Sequence, residues 1–291
     1  MGGVQRCALA CGLVVLASVA TAKAAAPVLR NDQIEIAYVE PTNPDFEPLY
    51  EGLKARKVLE ELRAFLAPLK LPRTITVKVD QCGELAKVYK PGEPVTICYE
   101  YVAKLRELAQ KLPTESADEN ALTRDDAIVG AFVQAVLQRT ASAVFDVLDT
   151  PIWGREEDAA DKLAAFLMLQ FGPKAARKLI DGATYFFNAS DQKWTGVDFS
   201  ELESTQSQRY YNYVCMALGA DPTLFADFDA SQAMHVDKSG HLPKLGSYRA
   251  SWCPREYSEE VWAFQQLILP HIDLDLMRQV LARDWLAPFT E

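Results

Sequence analysis

A chain of 291 residues, 49% apolar and 24% charged, can bury the core of one large domain or two small ones. Its net charge of −10 argues against nucleic-acid binding, which rests on basic patches. No run of like charge is long enough to form a tail, and no internal repeat or low-complexity segment is present.

Residues 1–26 read as a secretory signal. Arg6 stands in a short basic region, an apolar run covers 8–20, and cleavage sites of the A-x-A kind fall near Ala24 or Ala26. An apolar run of about 13 residues is short of the about 20 that a membrane span needs. No other segment approaches spanning length, so no membrane span is expected in the mature chain, which is assigned to the periplasm or the medium.

Residues 27–291 are read as a single domain, with a possible sub-boundary near 185–205. Residues 33–40 alternate apolar and polar and predict a strand. Residues 45–69 predict one amphipathic helix, with Leu49, Leu53, Val58, Leu59, Leu62 and Leu66 at near-helical spacing. Residues 74–79 and 95–99 are strands rich in β-branched side chains, and a helix follows over 99–112. After a polar loop, Thr123 begins a helix that runs to about 148, apolar nearly all round as a buried helix is. One polar stripe marks it: Gln134, Gln138, Ser142 and Asp146, each four apart and so on one face. Pro151 and Gly154 separate it from a second helix over 155–171, and a short helix is read over 174–180. Residues 184–204 read as irregular. Helices are read at 206–218, 223–228, 258–269 and 273–282, with a loop over 234–249. Helices dominate this α+β pattern, and its small sheet lies in the first hundred residues.

Cys7 and Cys11 leave with the signal, and four cysteines remain in an exported chain, where disulfides persist. Cys82 and Cys98 lie in neighbouring strand-like segments separated by Lys90-Pro91-Gly92-Glu93-Pro94, which is turn chemistry, and are paired as a hairpin staple. Cys215 and Cys253 pair by elimination. No two of the four have the spacing of a zinc ribbon. The three histidines, His235, His241 and His271, match no ligand motif; His235 and His241, with Asp237, read as exposed loop residues. Neither a G-x-S-x-G elbow nor a phosphate-binding glycine pattern occurs.

Several separated blocks resemble, in order, a family of secreted bacterial proteins classed as metallopeptidases. They include Gln81-Cys82-Gly83-Glu84, Ile97-Cys98-Tyr99-Glu100-Tyr101, Gly154-Arg155-Glu156-Glu157-Asp158-Ala159-Ala160-Asp161, Gln208-Arg209-Tyr210-Tyr211-Asn212 and Cys253-Pro254-Arg255-Glu256-Tyr257. The resemblance spans about residues 33–275. It implies a zincin-like fold, with a small N-terminal sheet on a buried central helix and a helical C-terminal part. It also implies a gluzincin site, in which one helix carries H-E-x-x-H and the next a glutamate within E-x-x-A-D. Glu157, Ala160 and Asp161 fit the second pattern, while Gln138, Arg139 and Ser142 stand where the first would place two ligand histidines and the catalytic glutamate.

An amide and a hydroxyl are poor zinc ligands, and arginine cannot act as a base near neutral pH. Glu157 alone keeps a ligand position, so no metal and no cofactor are expected, zinc belonging only to the alternative below. Glu157 and Asp161 then need a cation, and Arg139 or Arg155 is the candidate. A plainer reading makes Gln138 and Ser142 a solvent-facing stripe, and Glu157 and Asp161 exposed acidic residues at a helix start. Three functions stay open: a catalytically inactive pseudoenzyme whose groove binds a peptide or protein; an active zinc metallopeptidase or hydrolase with non-standard ligands; and a structural envelope-associated protein.

Overall fold

The computed structural model describes residues 32–86, 88–117, 121–190, 200–228, 245–283 and 285. The signal expected over 1–26 and the His235–Asp237–His241 group lie outside the described residues.

Three short strands, β1 (Ile34–Tyr38), β2 (Ile75–Asp80) and β3 (Val95–Cys98), form a sheet in the order β1-β2-β3. Both pairings are parallel, with Ile36 opposite Val77 and Val79 opposite Ile97. Alternation decides which side is buried: Ile75, Val77 and Val79 point into the core while Thr76 and Lys78 between them are half-buried. The hairpin expected between Cys82 and Cys98 is therefore corrected to a parallel pair. A connection of about a dozen residues is long enough to carry the chain back to the same end of the sheet, and the segment 81–94 does so.

The two predicted disulfides are present, Cys82–Cys98 and Cys215–Cys253, with Cα separations of 5.4 and 4.9 Å. Glu100 reinforces the first by accepting hydrogen bonds from the backbone N–H groups of Cys82 (3.1 Å) and Gly83 (2.8 Å).

The β1–β2 crossover holds two helices where one was expected, α1 (Glu47–Ala55) and α2 (Val58–Phe65). Lys57 between them takes a left-handed φ of 53°. The apolar spacing carries the reason: Leu53 to Val58 is a step of five, which shifts the phase of the buried stripe. α3 (Tyr99–Ala109) leads directly off β3.

The centre of the molecule is α4 (Arg124–Val147), 24 residues long. A capping box starts it: the Asp126 N–H donates to the Thr123 hydroxyl (3.2 Å) and the Thr123 N–H to the Asp126 carboxylate (3.4 Å). By length and composition α4 could cross a membrane, contrary to the expectation that no segment beyond the signal approaches spanning length. Here its apolar surface is covered by protein instead, by β2 and β3 on one side and by helices on the others.

α5 (Glu156–Met168) follows, then α6 (Pro173–Ala189). The latter extends well past the expected 174–180 and through residues 184–189, read from sequence as irregular. Gly182 explains why it need not stop. A Cβ on Gly130 would lie 2.6 Å from the Leu179 carbonyl oxygen and 2.8 Å from the Gly182 Cα, so this glycine pair lets α4 and α6 touch backbone to backbone. The remaining helices are α7 (Gln206–Ala220), α8 (Ser247–Ala250), α9 (Cys253–Leu267) and α10 (Leu274–Leu281). The helix expected at 223–228 is only a 3-10 turn, Ala226–Phe228; α9 begins five residues earlier than read, and α8 falls in the expected loop.

Gly130→Ala or Gly182→Ala should lower stability by about 1–3 kcal/mol, the usual cost of overpacking. Gly52→Ala, in the interior of α1 with nothing within 4 Å of its added methyl, should raise stability by about 0.5–1 kcal/mol. Urea midpoints of the three variants check both signs.

Candidate functional site

α4 and α5 are joined by a short connection and lie side by side. Gln134 and Gln138 of α4 share one face, and Glu157 and Asp161 of α5 meet it. The Gln134 amide donates to Asp161 (3.0 Å), and the Gln138 amide donates to Glu157. All four are nearly inaccessible: Gln134 and Gln138 are 1% exposed, Glu157 5% and Asp161 3%. The solvent-facing readings of these residues are thereby corrected. Ser142, on the same stripe, is fully buried, but its hydroxyl makes no hydrogen bond among the described residues and none reaches Glu157.

Burying two carboxylates demands cations, and two arginines supply them. Arg139 donates to Glu157 (3.0 Å) and, through its other terminal nitrogen, to Glu203 (2.5 Å). Arg209 of α7 grips Asp161 with a fork of two bonds, Nε at 2.7 Å and Nη2 at 3.0 Å, and donates to Glu203 at 3.0 Å. The guanidinium of Arg209 also stands over the Phe187 ring, 4.7 Å from its centroid. The result is an alternating chain of charge, Glu157–Arg139–Glu203–Arg209–Asp161. Three carboxylates face two guanidiniums. The excess negative charge is met by the Gln134 and Gln138 amides and by the Tyr213 hydroxyl, which donates to Asp161 at 3.3 Å.

Burial dominates the titration of both α5 carboxylates. It pushes Glu157 up against the pull of Arg139, and Asp161 up against the pull of Arg209. Glu203, placed between both arginines, behaves oppositely. Burial raises it, but the two cations together outweigh that and hold it below the usual carboxylate value.

Arg139, expected as the partner of Glu157, takes that place. Arg155 does not: among the described residues its guanidinium reaches only the Glu203 carbonyl, at 3.5 Å. The cation on Asp161 is Arg209, and neither it nor Glu203 was singled out as a site residue. Arg209 had a signal, since it stands four residues before the buried Tyr213 on the inner face of α7. Glu203 lies in a segment with no periodicity and gave none.

A cleft of about 460 Å³ opens beside this chain of charge. Gln134, Gln138, Arg139, Glu203 and Arg209 form one side, and Thr96, Ile97, Tyr101 and Lys104 of β3 and α3 lie on its walls. Among the described residues one group of potential metal ligands is close enough to share an ion: Cys82, Cys98 and Glu100. Its thiols are spent in a disulfide and its carboxylate on two backbone N–H groups, so it holds no metal.

The family described as “Putative metallopeptidase” matches residues 38–268, a span that includes the whole charge chain and both disulfides. The chain belongs to this family. No curated protein and no solved structure matches it. In this metallopeptidase family member, then, the α4–α5 face carries amides, carboxylates and guanidiniums already bonded to one another.

Arg209→Met should cost about 3–5 kcal/mol, because Asp161 would be left buried without its cation. The sign with pH follows from Asp161. A carboxylate held above its unfolded value contributes stability that is present below the unfolded value and lost as pH rises through the folded one. Removing Arg209 raises Asp161 further, so the penalty should be largest near about pH 7 and shrink toward about pH 5 as the acid takes up its proton. Urea unfolding of both proteins at the two pH values measures it; a penalty unchanged with pH would point to some other group.

Proposed function

We propose that this chain is an exported, zincin-like pseudoenzyme: a metallopeptidase-like protein without zinc-dependent catalysis, whose cleft binds an extended peptide or protein segment. The observation that carries the reading is the Arg139–Glu157 pair. Where a gluzincin site would put a divalent cation on the second-helix glutamate, a guanidinium supplies the positive charge. The other α4 groups on that face, the Gln138 amide and the Ser142 hydroxyl, are weak donors to zinc, and Glu157 already accepts from two partners. Zinc does not fit this donor set, so no step through a metal is derived.

The peptide-binding part rests on the cleft wall. β3 is one of the two edge strands of the sheet, and its Thr96 and Ile97 border the cleft. An edge strand offers unpaired backbone groups along one side, the means by which sheets capture extended segments. Export is supported by the two disulfides, which persist in oxidising compartments.

Metal analysis of the purified protein should find no stoichiometric zinc, and casein should not be cleaved. Stoichiometric zinc with chelator-sensitive proteolysis would overturn the reading. The combined change Gln138→His, Arg139→Glu, Ser142→His should create zinc-dependent thermal stabilisation, because it restores the donor set while removing the competing cation. Peptides selected on the wild-type protein should bind Gln206→Trp, which fills the cleft, roughly tenfold or more weakly; an unchanged affinity would place peptide binding elsewhere.

A further inference from the structure

On the far side of α4 from the charge chain lies a second pocket, about 210 Å³, with a different chemistry. Its walls are apolar: Leu53, Leu62, Phe65, Val133, Phe171 and Trp285. Phe65 stacks on Phe171 at 4.4 Å between centroids, and Trp285 meets Phe65 edge-on at 5.6 Å. A second apolar cavity of about 200 Å³ lies on the other side of Phe65 and Leu137, which line both.

Arg56 and Arg106 also line the first pocket. The phase break between α1 and α2 presents Arg56 there, and Arg106 comes from α3. Both residues are exposed, and neither side chain forms a hydrogen bond or ion pair among the described residues. Partial burial of its guanidinium, and then the neighbouring Arg56 charge, push Arg106 below its usual value, with exposed Asp125 only partly opposing. The carboxylate lining the pocket, Glu61, is already neutralised by Arg283, which lies over the Trp285 ring at 4.5 Å. Two like charges thus stand together with no carboxylate among the described residues bonded to either, in a chain whose net charge is −10. Such a pair lacks a structural reason and has an obvious chemical complement: an anion attached to an apolar body.

We propose that this pocket binds a free fatty acid, its carboxylate bridging Arg56 and Arg106 and its acyl chain running between Leu62, Val133 and the Phe65–Phe171–Trp285 cluster. This site shares no residue with the cleft and does not depend on the peptide-binding reading.

The probe is dodecanoate below its micelle concentration, titrated calorimetrically into the purified protein. One saturating site is expected. Arg56→Glu with Arg106→Glu should weaken binding about tenfold or more by replacing attraction with repulsion, and Val133→Trp should do so by filling the apolar end. Dodecanol, with the same chain and no charge, should bind at least about tenfold more weakly. Because both arginines are exposed, the charge-reversed protein should keep the wild-type near-ultraviolet circular dichroism; if it does not, Arg56→Gln with Arg106→Gln is read in its place. Absence of a saturable site, equal affinity for dodecanol, or binding unmoved by either variant would overturn the proposal. So would a tenfold gain in dodecanoate affinity on deleting residues 286–291, which would make the chain's own terminal segment the occupant.

Discussion

The packing of α4, α5 and α7 depends on one constraint, that the carboxylates of Glu157 and Asp161 are buried and must be compensated where they stand. An ionised carboxylate in a protein interior is tolerated only with a cation and a full set of donors. Glu157 takes Gln138 and Arg139 from α4; Asp161 takes Gln134 from α4 and Arg209 and Tyr213 from α7. Each carboxylate therefore ties α5 to a neighbouring helix through groups that cannot be satisfied in another register. Glu203 completes the arrangement by sharing both arginines, which links the segment before α7 to the centre of the fold.

That arrangement sits on a frame made by small residues and a short sheet. Gly130 and Gly182 bring α4 and α6 into backbone contact, and the ion pair from Lys178 to Asp126 (2.9 Å) holds the same two helices near the start of α4. Cys215–Cys253 fixes α7 to the beginning of α9, so the helix that carries Arg209 is anchored covalently as well as by packing. At the other end, Cys82–Cys98 clamps the ends of two parallel strands next to the cleft wall. Most of the residues that shape the cleft are thus carried on helices and strands, while Glu203 is held in its irregular segment by Arg139 and Arg209.

α4 separates two chemistries. Gln134 and Gln138 turn toward the carboxylates and the polar cleft, while Val129, Val133 and Val136 line the apolar pocket with its two arginines. A helix has room for both because positions three or four apart share a face while those one or two away turn elsewhere. The polar stripe on an otherwise apolar helix is explained by this dual duty, which a helix buried only for packing would not need.

Much of this was legible in the chain itself. Local chemistry determined the strands at the N-terminus, the Thr123 start of α4, the α4–α5 pair and both disulfide pairings, since alternation, capping and cysteine number act over short distances or leave few choices. The four-residue spacing of Gln134, Gln138 and Ser142, and of Glu157 and Asp161, placed each set on one face. Whether those faces met solvent or each other was decided by tertiary structure, because burial depends on what another element covers. The same holds for Arg209 and Glu203, which reach the site from 48 and 42 residues beyond Asp161. Strand direction was also outside local reach: the turn-like Lys90–Pro94 stretch suits a hairpin, but the sheet is parallel because the connection is long enough to cross over. Finally, the length of α6 was set by contact rather than propensity, since Gly182, weak in an isolated helix, is the residue that allows α4 to lie against it.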